Sequence, residues 1–356
     1  MPLKETMTSR ERWEAVLSRK TPDRIPMDYA ATPESTEGLM RYLSVDSWDA
    51  LCDRLHLDVT YSIGPEYVGP PCRPGEDPFG CCYRVVPYGT GSYTECVGNP
   101  LAHFQSAEGI DAGYRWPSAD WWDYSRIPER LRGSEHRPIG GGSCEPFLTY
   151  CFLRGREQAY VDLIENPELA HYCLDKLFAL AYTGIERIYE QAGRAGVRVL
   201  TTYVAEDLGS QTALLMSRAQ VRSFLLPRMK RVIDLVHSAG AYVFFHSDGA
   251  IRPVLADFIE SGIDVLNPVQ WRCTGMDRAE LKRDFGRHLV FHGAVDNQET
   301  LAFGTVEDVA NEVMENIRVL GAGGGYIIAP CHNIQPVNPP GNTVALYDTG
   351  YANGWA

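Results

Sequence analysis

The chain has 356 residues, 44% of them hydrophobic, enough core for one large α/β barrel with extensions or for two ordinary domains. Acidic side chains outnumber basic ones 46 to 33, and the formal charge of −13 disfavours nonspecific nucleic-acid binding, which needs basic surface. No window is apolar enough to span a bilayer, and the charged N-terminal stretch lacks the apolar core of a signal peptide, so a cytoplasmic protein with no membrane partner is expected. The ten cysteines are scattered, without a CxxC pair, and read as reduced thiols.

In chain order, residues 8–19 carry the signature of a capped amphipathic helix, with Thr8 at its start and Glu11 three positions on. Thr21-Pro22-Asp23 is a turn. Residues 24–29 read as a first strand, although Pro26 argues against it. Residues 64–136 are rich in Gly, Pro, Tyr and Trp and read as hairpins within an irregular insertion. The aromatic cluster Trp116 to Tyr124 there is either a latch that packs the insertion down or a wall for a flat ligand. From 137 onward the pattern becomes regular. Strands are expected at 137–142, 197–204, 241–245, 263–267, 288–293 and 326–329. The helices between and after them fall at 156–194, from Ser217, 251–261, 277–285, 297–303, 306–320 and 341–350. Such alternation favours a parallel sheet. The expected fold is therefore a (β/α)8 TIM-type barrel spanning residues 1–356 as one domain, with the insertion at about 64–136. A doubly wound sheet is the alternative.

Chemistry-bearing residues follow these apolar runs. In a barrel, such strand ends converge on one mouth. The strand ending near 204 delivers Glu206 and Asp207. Ala241–Phe245 delivers His246 and Asp248, and 263–267 delivers Asn267 and Gln270. The strand at 288–293 delivers His292 and then Asp296, and the last strand delivers Cys331 and His332. His246, Asp248 and Cys331 could supply three protein ligands to zinc, which accepts nitrogen, sulfur and carboxylate donors and leaves one position open when catalytic. The opposing reading makes His246 a hydrogen-bonded core histidine and Cys331 a small buried hydrophobe. Glu206 and Asp207 could instead stabilise the start of a helix. Asn267 and Gln270 could close a turn at Pro268, and His292 and Asp296 could be hydrogen-bonded loop residues. Gly323-Gly324-Gly325 precedes a strand and reads as a tight turn rather than a phosphate loop.

Several segments, in this order, resemble the uroporphyrinogen decarboxylase superfamily, and within it the branch of corrinoid-linked methyltransferases. They are Arg10-Glu11-Arg12, Thr21 to Pro26, Leu153-Arg154-Gly155 with Asn166-Pro167-Glu168, and Glu206 to Gln211. Then come His246-Ser247-Asp248-Gly249, Gly262 to Gln270, His292 to Asp296, and Gly323 to Ile327 running into Cys331 to Gln335. The resemblance implies a (β/α) barrel and, in the methyltransferase branch, zinc held by a His-x-Cys pair and a later Cys. Here His246 and Cys331 match, while Asp248 stands where the first Cys would be.

The activity so implied is zinc-dependent methyl transfer to or from a corrinoid protein. A small-molecule methyl donor or a thiol acceptor would complete the reaction. No corrinoid-binding segment is evident, so the corrinoid would arrive on a separate partner. Glu206, Asp207 and His332 are the expected catalytic residues, with Asn267, Gln270, His292 and Asp296 on the substrate. The superfamily's decarboxylases carry an Arg-rich N-terminal segment for propionate groups. Met27 to Pro33 contains no Arg, so decarboxylation of uroporphyrinogen or a related polycarboxylate ranks second. A non-catalytic small-molecule-binding barrel ranks third.

Overall fold

The computed structural model describes residues 5–89 and 91–355. Seven strands form one curled parallel sheet in the order Tyr61–Ile63, Ile139–Cys144, Thr201–Ala205, Tyr242–His246, Val265–Asn267, Val290–Val295 and Tyr326–Pro330. Order in space follows order in sequence, the signature of successive strand–helix units wound one way. Most helices fall where the sequence pattern puts them, including Arg252–Ser261, Arg278–Phe285, Val306–Leu320 and Pro340–Asn353. The stretch 156–194 is not one helix. Gly155, at φ +91°, ends Pro146–Arg154, and Pro167 separates Arg156–Glu165 from Pro167–Arg194.

Residues 24–29 do not form a strand either. Pro26 has no N–H to give, and the Met27 N–H donates to the Asp58 carboxylate at 3.0 Å. The segment still bonds in both directions. Asp28 N–H donates to the Ile328 carbonyl and Ile328 N–H to that of Pro26, while Asp58 N–H donates to the Met27 carbonyl. Pro26–Asp28 thus bridges the last strand and the approach to the first.

The helix Ser9–Leu17 opens with the expected capping box, Thr8 and Glu11. It stops the N-terminal end of the sheet: Trp13, Val16 and Leu17 pack against Leu200, Val265, Val290 and Ile327. Between 64 and 136 lie the hairpin Cys82–Pro87/Ser92–Gly98 and the short pairing of Glu66–Tyr67 with Trp122–Asp123. Trp116 donates its indole N–H to the Tyr172 hydroxyl on the long helix. All ten cysteines are free thiols. No helix among the described residues is long and apolar enough to cross a membrane.

Arg218 and Arg222 both grip Asp257, with contacts of 2.6 Å from each. Hydrogen bonding from Arg218 leads in holding the Asp257 carboxyl down at about 2. A carboxylate depressed on folding adds stability above its unfolded pKa of ~3.9, and that stability is lost as pH falls through about 2. The two arginines are about half exposed, so water screens the contact to about 1 kcal/mol. Asp257→Asn should therefore lower the urea midpoint at neutral pH. The gap from wild type should close as pH drops from about 4 to about 2; a gap independent of pH would show that charge is not the cause.

Candidate active site

Ala205, His246 and Asn267 stand side by side in the sheet register. Each is the last residue of its strand, so the next residues enter one mouth together. The loops there are locked to each other. Ala250 N–H donates to the Ser210 carbonyl at 2.8 Å, and Leu208 N–H donates to the Ser247 hydroxyl at 3.1 Å. A Cβ on Gly249, at φ +87°, would lie 2.4 Å from the Gly209 carbonyl carbon. Glycine is what lets the two backbones come this close.

Asp207, His246 and Asp248 each offer a ligand atom, and these atoms all lie within 4.8 Å of one another. His246 Nε2 sits 3.5 Å from Asp207 Oδ1. Gln270 holds the third member: its Nε2 donates to Asp248 Oδ1 at 2.9 Å, and its Oε1 accepts from Gly249 N–H. Burial works against the His246 cation, but hydrogen bonds with Asp207 and Asn267 outweigh it and raise the imidazole pKa. The same His246 bond leads in lowering Asp207. Asp248 moves the other way. Burial raises it, against the pull of His246 and His332.

The donors fit a divalent metal. One imidazole and two carboxylates are acceptable to zinc, and the oxygen-rich set also suits harder ions. Cys331, expected as the soft ligand, is not in this group. Its thiol donates to the Val269 carbonyl at 3.1 Å, and burial pushes its pKa well up. Asp207 stands in the group instead.

The other expected residues divide sharply. Glu206 is buried and accepts the N–H groups of Phe147 and Leu148 at 2.6 and 3.0 Å, so it caps the helix Pro146–Arg154. Asp296 likewise takes the N–H groups of Glu299 and Thr300 and pairs with Arg272. His292 is buried between Asp28 and Asn267 and does not reach open space. His332 is exposed and lines a mouth cavity of about 510 Å³ with Asp248 and Gln270. Glu206→Ala should cost about 1–3 kcal/mol in urea unfolding, since the buried Phe147 N–H and the part-buried Leu148 N–H lose their acceptor, and should leave metal affinity unchanged. Lost turnover without lost stability would restore a catalytic part for Glu206.

Two residues escaped the sequence reading. Glu145 directly follows the strand Ile139–Cys144. Burial raises its carboxyl pKa, opposed by the nearby His246 charge. Asp28 bonds His292 from 264 positions away. A second cavity of about 440 Å³ lies alongside, bounded by Asp28, Ser62, Gly140, Thr201, Tyr203 and Phe244. No Lys or Arg lines either cavity among the described residues.

The sequence profile of uroporphyrinogen decarboxylase (URO-D) matches residues 127–352, more than half of the chain. The chain belongs to the uroporphyrinogen decarboxylase family. A uroporphyrinogen decarboxylase of Anaeromyxobacter sp. (strain Fw109-5) is 27% identical over 223 residues, covering 61% of this chain and 59% of that protein. One from Nitrosococcus oceani is 25% identical over 242 residues, covering 64% and 63%. The chain thus spans about six tenths of the length of the curated relatives it matches. In fold it is similar to a methyltransferase from Methanosarcina mazei, with a TM-score of 0.66 at 19% identity over 97% of this chain and 99% of that one. The matched relatives are thus named as decarboxylases and the similar structure as a methyltransferase.

Proposed function

We propose that this protein is a metal-dependent methyltransferase that moves a methyl group to or from a corrinoid carried on a separate protein. The observation that carries the reading is the Asp207, His246 and Asp248 group at the mouth, within 4.8 Å in mutual spacing, beside cavities without a Lys or Arg among the described residues. A polycarboxylate such as uroporphyrinogen calls for paired cationic groups. The mouth instead concentrates acidic and amide side chains, which suits a cation and a neutral ligand. The fold likeness to the Methanosarcina mazei protein agrees with this choice. We further infer that Pro26–Asp28 is the eighth stave, closing the sheet into a (β/α)8 barrel of one domain, with residues 64–136 as an insertion.

In this reading Asp207, His246 and Asp248 hold the metal, zinc first among candidates, and Gln270 fixes the Asp248 carboxylate. Bound there, the metal supplies Lewis acidity toward a thiol acceptor or a methyl donor. Glu145 is positioned to hold or release a proton at its carboxyl, the part first assigned to Glu206. His332, at the rim, can orient a polar group of the substrate, and the 440 Å³ cavity accepts its body.

Parallel assays test the reading. Purified protein should contain about one metal ion per chain, the stoichiometry of a single site. It should demethylate a methylated corrinoid protein in the presence of thiol, or methylate the reduced one from a methylated donor, and release no carbon dioxide from uroporphyrinogen. Carbon dioxide release without methyl transfer would reverse it.

A further inference from the structure

His246 is the inner end of a chain of hydrogen bonds that crosses the sheet. Asp28 Oδ2 lies 3.0 Å from His292 Nε2, His292 Nδ1 lies 2.7 Å from Asn267 Nδ2, and Asn267 Oδ1 lies 2.6 Å from His246 Nδ1. The direction of each bond follows from what each atom can do. An ionised carboxylate only accepts, so the His292 proton is on Nε2. An amide NH2 only donates, so His292 Nδ1 accepts. An amide oxygen only accepts, so His246 must carry a proton on Nδ1. Turning the amide over would make Asn267 Nδ2 donate to His246 Nδ1 and Oδ1 accept from a proton on His292 Nδ1. The amide instead stands with Nδ2 toward His292 and Oδ1 toward His246.

We propose that Asp28, His292 and Asn267 are positioning residues that fix His246 as its Nδ1–H tautomer and direct its Nε2 lone pair at the Asp207 and Asp248 carboxylates. Facing two carboxylates, Nε2 takes up a cation: in the metal-free protein the proton it shares with Asp207, and a metal ion in that proton's place. The chain therefore makes Nε2, not Nδ1, the atom that exchanges its proton for a metal. Asp28 itself is held for this task, since its Oδ1 accepts from Tyr29 N–H at 2.9 Å. The purpose of this chain, though not its geometry, rests on His246 being a metal ligand.

The test reads tautomer and affinity separately. In metal-free protein with ¹⁵N-labelled histidine, titrated upward until the His246 ring loses its charge, the long-range ¹H–¹⁵N spectrum should show the remaining proton on Nδ1. Asn267→Leu, similar in size and without hydrogen-bonding groups, should shift the ring toward the Nε2–H form. It should also weaken zinc binding by about 10–100-fold, the usual effect of losing a ligand's outer partner. Asp28→Asn keeps an acceptor for His292 and should change both readouts less. Circular dichroism on each variant separates these effects from unfolding. A neutral His246 protonated at Nε2 in the wild type, or a folded Asn267→Leu protein with an unchanged tautomer, would overturn the proposal. A tautomer shift in a protein that binds no zinc would sustain the relay and refute the metal reading.

Discussion

Asp248→Ala protein should purify folded and nearly free of metal, with affinity reduced by more than the ~100-fold that losing a hydrogen-bond partner of a ligand costs at most. The carboxylate is one of three groups in the cluster and the one that Gln270 clamps. His246→Ala should do the same. Cys331→Ala makes the informative contrast. If its thiolate were the softest ligand, as its place after the last strand suggests, this variant would lose metal too. The thiol instead donates to the Val269 carbonyl and is held protonated by burial, and a ligand thiol must be deprotonated. Cys331→Ala should therefore retain metal to within a few-fold, with a small loss of stability from the cavity. Elemental analysis and zinc titration of the three proteins decide the matter. Metal lost from Cys331→Ala and kept by Asp248→Ala would return Cys331 to the site and remove Asp248.

That contrast also marks what sequence could and could not reveal. Strand positions were legible because apolar runs are sharply bounded here, and His246 and Asp248 follow from them. Alternation could have done more. Tyr203, Ala205 and Asp207 share one parity, as do Phe244, His246 and Asp248, and side chains two apart point the same way. Glu206 has the opposite parity and turns to the helix Pro146–Arg154. Applied to the strand ends, the rule separates Asp207 from Glu206 without a structure. It fails for Cys331, which lies past Pro330 in a bend, where alternation no longer sets direction. Glu145 was findable as the residue after a glycine-rich strand. Asp28 was not: its role depends on a contact across 264 positions, and nothing local in Met27-Asp28-Tyr29 signals it.

Asp58→Ala should be the most destabilising single change at the closed end of the sheet. Asp58 is fully buried, as are Arg12 and Arg24 to within 2%. Arg12 reaches its Oδ1 at 2.6 Å and Arg24 its Oδ2 at 2.7 Å, and Ser9 and the Met27 N–H complete the set. Replacing such a network by apolar groups can be neutral. Removing one member is not, because the others stay buried with charge uncompensated, at about 3–5 kcal/mol. Arg12 keeps the largely buried carboxylate of Asp23, whereas Arg24 keeps the partly exposed Glu5 and the neutral carbonyls of Ile25 and His56. Arg24 should therefore carry most of the loss. With an unfolding entropy of ~2.1 cal/mol/K per residue, about 4 kcal/mol lowers Tm by roughly 5 °C in a chain of this size. The change also removes the acceptor that holds the Met27 N–H, and with it a restraint on Pro26–Asp28. Asp28 should then sit less firmly on His292, and zinc affinity should fall by a few-fold although Asp58 is far along the chain from every ligand. Thermal melts and zinc titrations on the one variant read both effects. An unchanged Tm would show that water reaches the two arginines and that the network contributes little.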